Sequence, residues 1–338
     1  MQRLSVLVVL SVILGLSIAS TTHAYTLEKI GLDPARQDFV VGPGKEEVKL
    51  NPGESKTVNI LVSNRTGKDQ VFSIEVEDFS GSTDPKIPVV LLGADRGPYS
   101  LKDYLHFENP TFKLPNGTRA IVPVTVTVPA DAEAGGYYGS VLFSVTRQRD
   151  PNSDAGAPVV SRVGSLFFVT VNGPVKTEGQ LETFDTIGSK RIFISTGKIP
   201  VQLLFANTGA IHLTPYGTIT VNNILGEQVE QVIVDPWFVM PGSKRVREFD
   251  LTNQVRLGRY TLTAEINRGY NDQVDTQSVT IWVLPWKLIL GGTLLVLVFI
   301  WLVRNFRFTR RGGPSERSAS LQKPFSRKPA ARQSRTTK

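Results

Sequence analysis

The chain of 338 residues has no cysteine and only three histidines. The first absence removes thiolate nucleophiles, thiolate metal sites and disulfide staples together. An exported chain without disulfides must hold itself together by burial, so its folded segments have to be large. Scarce histidine leaves little room for imidazole bases or ligands. His23 falls in an N-terminal segment expected to be removed, and His106 and His212 are single, each beside apolar neighbours. No His-x-x-x-His, nucleophile elbow or phosphate-cradling glycine loop occurs. Glu75, Glu77, Asp78 and Asp84 lie close together but lack the spacing of a calcium loop. Glu75 and Glu77 alternate with apolar residues, as on the solvent face of a strand. These absences predict no catalytic residues, no metal and no cofactor. Also lacking between Tyr25 and Val283 is a convincing amphipathic helix.

What is present begins at the C-terminal end. Leu288–Val303 is an uncharged run; extended back to Pro285 it would reach roughly 28 Å as a helix, against a hydrocarbon core of about 30 Å. Pro285 suits a first helical turn. The sequence thus predicts a membrane helix over 285–303, with Trp282, Trp286 and Lys287 at one interface and Arg304 at the other. The segment 304–338 holds eleven Lys/Arg and one acid, Glu316, a net +10 against +8 for the whole chain. Residues 25–286 accordingly hold twenty-five basic and twenty-nine acidic residues, a net −4. The high pI describes the tail. Positive charge there predicts a cytoplasmic, disordered basic tail and attraction to anionic lipid rather than to nucleic acid.

At the other end Arg3, the apolar run Leu4–Leu16 and a small-residue stretch ending Thr22-His23-Ala24 predict a signal peptide over 1–24. Retention as a second membrane helix is the alternative. Either way the central region lies outside a cell membrane that the chain crosses at its C-terminal end.

That region alternates with period two. Val58, Ile60 and Val62 share a face, as do Phe72, Ile74 and Val76, then Val122, Val124, Val126 and Val128. Pro123 lacks a ladder donor and predicts an edge or bulge there. Ser140–Val145 and Ser165–Val171 are further strands, partly continuous in apolarity. Turn signals separate the strands at Asn51-Pro-Gly53, Asn64–Gly67, Pro115-Asn-Gly117 and Gly135-Gly136. After Asn172-Gly-Pro174 the pattern restarts, and both halves share an order of signals. An Asn-(Arg)-Thr-Gly turn ends a strand at Asn64–Gly67 and Asn207–Gly209. A Pro-containing turn follows at Pro115 and Pro241, and a glycine precedes Tyr at Gly136-Tyr137 and Gly258-Arg-Tyr260. The expected architecture is all-β, two tandem β-sandwich domains over 25–174 and 175–283. The first carries an insertion over 82–109.

Leu50-Asn-Pro-Gly-Glu-Ser-Lys-Thr-Val58, Val62-Ser-Asn-Arg-Thr66, Ser100-Leu-Lys-Asp-Tyr-Leu105, Val124–Asp131 and Gly135–Phe143 occur in an order that resembles the first domain of WxL-interacting proteins. The second half is similar only through Met240-Pro-Gly-Ser243 and Gly258-Arg-Tyr260. The resemblance implies a Gram-positive surface protein with two immunoglobulin-like domains, a membrane anchor and a basic tail. It also implies a wall-associated scaffold for peptidoglycan or surface proteins.

Leu114-Pro-Asn-Gly-Thr118 superficially resembles a sortase signal, but lies mid-domain and reads as a turn. The expected ligand-binding residues are aromatic: Tyr99, Tyr104 and Phe107 in the insertion, and Tyr137-Tyr138 after the double glycine. Such rings stack on sugars and anchor protein interfaces, though in a β-sandwich they also serve as core. The function expected is a non-catalytic binding or adhesion scaffold at the cell surface. The alternative is a membrane-tethered, chaperone-like assembly factor that holds secreted subunits by strand donation.

Overall fold

A computed structural model describes residues 25–31, 37–146, 160–194, 197–251 and 257–309. The expected signal segment 1–24 and the tail beyond 309 lie outside the described residues. Strands run in chain order as β1 (Thr26–Lys29), β2 (Asp38–Gly42), β3 (Lys45–Leu50), β4 (Ser55–Arg65), β5 (Gln70–Ser80), β6 (Val90–Leu91), β7 (Leu105–His106), β8 (Thr111–Leu114), β9 (Thr118–Thr127), β10 (Gly135–Thr146) and β11 (Val160–Val171). One sheet has the order β1-β9-β4-β2 with β7 also on β9; the facing sheet is β3-β11-β10-β5-β6 with β8 also on β5. The second sandwich contains β12 (Gly179–Thr186), β13 (Ile192–Phe193), β14 (Ile199–Asn207), β15 (Tyr216–Asn223), β16 (Gln228–Val234), β17 (Lys244–Leu251), β18 (Gly258–Asn267) and β19 (Val274–Val283). Its sheets are β12-β14-β17 and β13-β19-β18-β15-β16. The chain is therefore all-β, with immunoglobulin-like sandwiches and one C-terminal helix.

Alternation builds both cores. Val58, Ile60 and Val62 on β4 and Val122, Val124 and Val126 on β9 point into the first core with Phe72, Phe143 and Phe167. The second core gathers Val201, Leu203 and Phe205 from β14, Ile219 and Val221 from β15, and Leu262, Ala264 and Ile266 from β18. Pro123 falls between the stretches of β9 paired to β1 and to β7, where that side of β9 has no strand partner among the described residues and no donor is needed.

The repeated Asn-Thr-Gly signal proves to be one device used twice. Asn64 Nδ2 donates to the carbonyls of Lys68 and Leu114, and its Oδ1 accepts from the Thr66 amide. Asn207 Nδ2 donates to the carbonyls of Ile211 and Val239, and its Oδ1 accepts from the Gly209 amide. In each sandwich a fully buried amide thus ties the end of one strand to a neighbouring segment. The glycines of the two Pro-containing turns, Gly117 and Gly242, both sit at positive φ, 71° and 65°.

The insertion 82–109 holds β6, β7 and a single 3-10 turn at Lys102–Tyr104. It is pinned rather than projecting. Asp78 Oδ1 accepts from the amides of Leu101 and Lys102, and Leu101 is fully buried.

The C-terminal unit, from Pro285 onward, contains α1 (Trp286–Thr309). Its stretch Trp286–Phe306 is long and apolar enough to cross a membrane by length and composition. The helix runs past Val303, where the sequence reading ended it, because loss of hydropathy does not stop a helix and Arg304–Thr309 contains no Pro or Gly. Thr293 Oγ1 donates to the Ile289 carbonyl, which satisfies the hydroxyl within the helix.

Candidate functional site

The two sandwiches meet in an aromatic joint. Strands buried on one face leave alternate residues outside, and on β5, β10 and β11 those outward residues include Phe79, Tyr138 and Phe168. They pack with Met240, and with Tyr99, Leu166, Val89 and Phe238 at the margin. Phe168 lies 5.0 Å from Phe238 and 4.9 Å from His212 by ring centroids, and Phe79 lies 5.3 Å from Phe168. Edge-on contacts of this kind add to the area they bury. Backbone bonds reinforce the joint: the Val246 amide donates to the Pro85 carbonyl and the Gly136 amide to the Ala210 carbonyl. Lys86 pairs with Glu248 at 2.9 Å. The insertion thereby acts as a strap, held to its own sandwich by Asp78 and to the edge of β17 by Pro85.

One titratable pair sits inside the joint. The His212 amide donates to the Tyr138 phenol oxygen at 2.6 Å, and that phenol lies 3.3 Å from His212 Nδ1. With the phenol O–H donating to Nδ1, the proton of the neutral imidazole is on Nε2, which faces Glu47 at 4.0 Å. Burial holds the imidazole down to about 4, outweighing the Glu47 carboxylate. Burial also pushes the Tyr138 phenol above its ordinary value.

At the margin the joint becomes cationic. The Arg245 guanidinium stacks on Phe238 at 4.4 Å from the ring centroid, and desolvation lowers its pKa. Lys45 reaches over Phe168 and Phe238 at 5.7 and 5.9 Å while bonding Glu47 at 2.7 Å. Arg247 lies over Trp237 and Phe249. Cations on aromatic faces suit anionic groups or a partner's carboxylates.

The five expected ligand-binding aromatics divide into two groups. Tyr138 and Tyr99 belong to the joint, and Tyr138 is fully buried there. Tyr104, Tyr137 and Phe107 pack at the margin of the first core, with Tyr104 and Tyr137 5.2 Å apart and the Tyr137 phenol donating to the Glu133 carbonyl. Sequence reasoning set His212 aside as a single histidine, used Met240 only in the resemblance, and did not name Phe79, Phe168 or Phe238 as site residues. The adjacent Phe167-Phe168 was the available signal, since continuous apolarity marks a strand buried on both faces. Of the membrane-interface set, Trp282 ends β19 half-exposed, and Lys287 lies 6.0 Å from the Trp286 ring centroid. Trp286 and Arg304 are exposed on α1.

The acids weighed as cation ligands are engaged by protein. Arg162 bonds both Glu75 and Glu77. Among the described residues no group of three His, Asp or Glu gathers in a way that could hold a metal ion. A pocket of about 240 Å³ lies at the end of the first sandwich away from the joint, lined by Asp38, Phe39, Thr66, Gln70, Val145 and Val163, among others. The edges differ in protection. β12 is covered by side chains, with Asp275 and Gln277 accepting from the Leu181 and Phe184 amides. Among the described residues β16 is paired on one side only; it carries a single charge among seven residues and exposes Ile233. An edge of this composition can accept another strand.

No protein-family model matches the sequence, and no curated protein matches it. Similar solved structures include a class 5 fimbriae chaperone, CfaA, at 10% identity over 72% of this chain and 99% of that one, with a TM-score of 0.35. The CupB2 chaperone of Pseudomonas aeruginosa is 11% identical over 72% and 100%, with a TM-score of 0.33. A protein of unknown function from Porphyromonas gingivalis W83 is 12% identical over 72% and 99%, with a TM-score of 0.26. The fold class stands on the strands and registers described above.

Proposed function

We propose that this chain is a membrane-tethered, non-catalytic binding scaffold at the cell surface, with its sandwiches outside and its basic tail in the cytoplasm. The supporting observation is the joint. Its aromatic rings, the strap and the Tyr138–His212 pair are spent on holding two sandwiches together, which suits a stiff arm better than a reactive cleft. Ligands then meet the loops, the first sandwich's far pocket or an open edge. Peptidoglycan or another surface protein is the partner class that the WxL-interacting resemblance implies. Full-length protein in lipid nanodiscs, immobilised by the tail, should retain wall fragments or a surface protein from the same cell. Retention of neither removes the scaffold reading.

A second reading, an assembly factor for secreted subunits, is favoured by the open β16 edge. Strand addition there would hold a subunit by main-chain bonds. Deleting the gene should then lower the surface amount of another protein while wall fragments go unbound. Unchanged surface proteins in the deletion strain would dismiss this second reading.

A further inference from the structure

At the end of the second sandwich remote from the joint, strand register brings several separate segments to one level. Asn223 on β15 pairs with Tyr260 on β18, and Tyr260 pairs with Ile281 on β19. The next residues of the β15–β16 turn, Ile224 and Leu225, therefore come level with Arg259 and Trp282, which pair with each other. On the far side of β19, Ile192 pairs with Trp282. Neighbouring strands are about 4.8 Å apart, so the hairpin tip stands roughly 12 Å to the side of β19. Ile194 and Leu257 belong to connections at this same end.

These apolar side chains are exposed well beyond what isolated surface residues need: Leu225 is 79% exposed, Ile224 69%, Ile194 65% and Ile192 59%. They lie on separate segments, the β15–β16 hairpin tip on one side and β13 with the loop after it on the other, rather than in one groove, which does not suit a helix or strand partner. Lys190 and Arg259 are exposed at the same end; among the described residues the ion pairs near this end are made by Arg191 and Lys198 instead.

The chain itself says what faces this end. The Trp282 amide donates to the Arg191 carbonyl and the Leu284 amide to the Phe193 carbonyl, both at 2.7 Å, so the exit is fastened to β13 as far as Leu284. Only Pro285 then separates Leu284 from Trp286, the first residue of the apolar helix. Two residues span at most about 7 Å, and Pro285 stiffens the step. A membrane that holds Trp286 at its interface must come to within that distance of Leu284.

We propose that this end is a lipid-contacting foot. Ile192, Ile194, Ile224, Leu225, Leu257 and Trp282 enter the boundary between headgroups and acyl chains, and Lys190 and Arg259 meet lipid phosphates. The inference rests on the spanning reading of α1 and adds a second, peripheral membrane contact made by the sandwich.

The absence of cysteine allows a direct test with single labels on full-length protein in nanodiscs holding one copy. An environment-sensitive dye goes on Leu225→Cys, on Val274→Cys at the opposite end of β19, and on Leu295→Cys within α1. Spin-labelled lipid should quench the Leu225 dye at least several-fold more than the Val274 dye, and iodide should do the reverse. Charging the tip with Ile224→Asp should abolish the lipid quenching at Leu225. The foot is overturned if the Leu225 dye escapes lipid quenching, whether iodide reaches it, as in open solvent, or fails to, as under a protein partner. An unquenched Leu295 dye would instead count against the spanning helix.

Discussion

Lowering the pH from 7.5 to 5 should weaken the joint through His212. The imidazole titrates near its ordinary 6.5 when unfolded but is held down to about 4 by burial in the folded protein. The unfolded chain therefore binds the proton first. The stability His212 contributes is full above 6.5, falls as the pH drops through the interval between 6.5 and 4, and is lost below it. The whole shift corresponds to about 3 kcal/mol, of which about 2 kcal/mol is gone by pH 5. The structural cause is specific. A protonated Nδ1 can no longer accept from the Tyr138 O–H, and the new charge lies among Phe168, Tyr138 and the nearby Lys45 and Lys49, with Glu47 the one carboxylate facing it. Depressed carboxylates begin to matter only nearer their ordinary values, 3.8 for Asp185, paired with Arg191, and 4.5 for glutamates such as Glu178, paired with Lys176, so the upper part of the window belongs to His212. Thermal unfolding of the full chain in nanodiscs, followed by tryptophan fluorescence, should show a midpoint about 4–8 °C lower at pH 5 than at pH 7.5. His212→Gln should flatten that dependence. A midpoint that does not move between these pH values, or a His212→Gln variant with the same slope, refutes the argument that the imidazole is buried neutral between the sandwiches.

Two further outcomes follow from packing and hydrogen bonding. Asn64→Ala and Asn207→Ala should each cost about 1–3 kcal/mol in urea unfolding, because each leaves a turn amide, Thr66 or Gly209, without its acceptor and removes the bonds that tie the strand end to the Leu114 or Val239 carbonyl. Near-neutral effects at both sites would mean the shared turn signal is not a shared clamp. A Cβ at Gly81 would stand 2.5 Å from Ser243 Cβ and 2.9 Å from Met240 Cβ. Gly81→Ala should therefore loosen the joint by about 1–3 kcal/mol, and adding Ser243→Gly should recover part of the loss. Simple additivity of the two changes would show that they do not meet across the joint.

Much of the fold was legible because its causes are local. Period-two alternation assigned Val58, Ile60 and Val62 to the core, and Val122, Val124 and Val126 likewise, without reference to a partner strand. The turn residues recurring in both halves marked a structural repeat, since a buried amide and a left-handed glycine are needed wherever that corner is made. The short strands β1, β2, β6, β7 and β13 were not separable from loops, because two to five residues carry too little periodicity to register.

The candidate site was less legible, for a different reason. Tyr99, Tyr104, Phe107, Tyr137 and Tyr138 were grouped by nearness in sequence, and neighbouring residues on a strand point to opposite faces. Tyr137 consequently turns to the first core and Tyr138 to the joint. Phe238, Met240 and His212 come from another sandwich and meet Tyr138 only through tertiary folding. By itself the sequence determined what depends on pattern and composition: the all-β class, the repeat, the acidic sandwiches, the apolar C-terminal helix and the lack of cysteine chemistry. Tertiary structure alone decided which outward-facing residues are truly outside. It buried the second face of β10 and β11 in the joint, turned the insertion into a strap, and left Ile224 and Leu225 bare beside the chain's exit. Solvent exposure is a property of two surfaces meeting, and no single strand encodes the second surface.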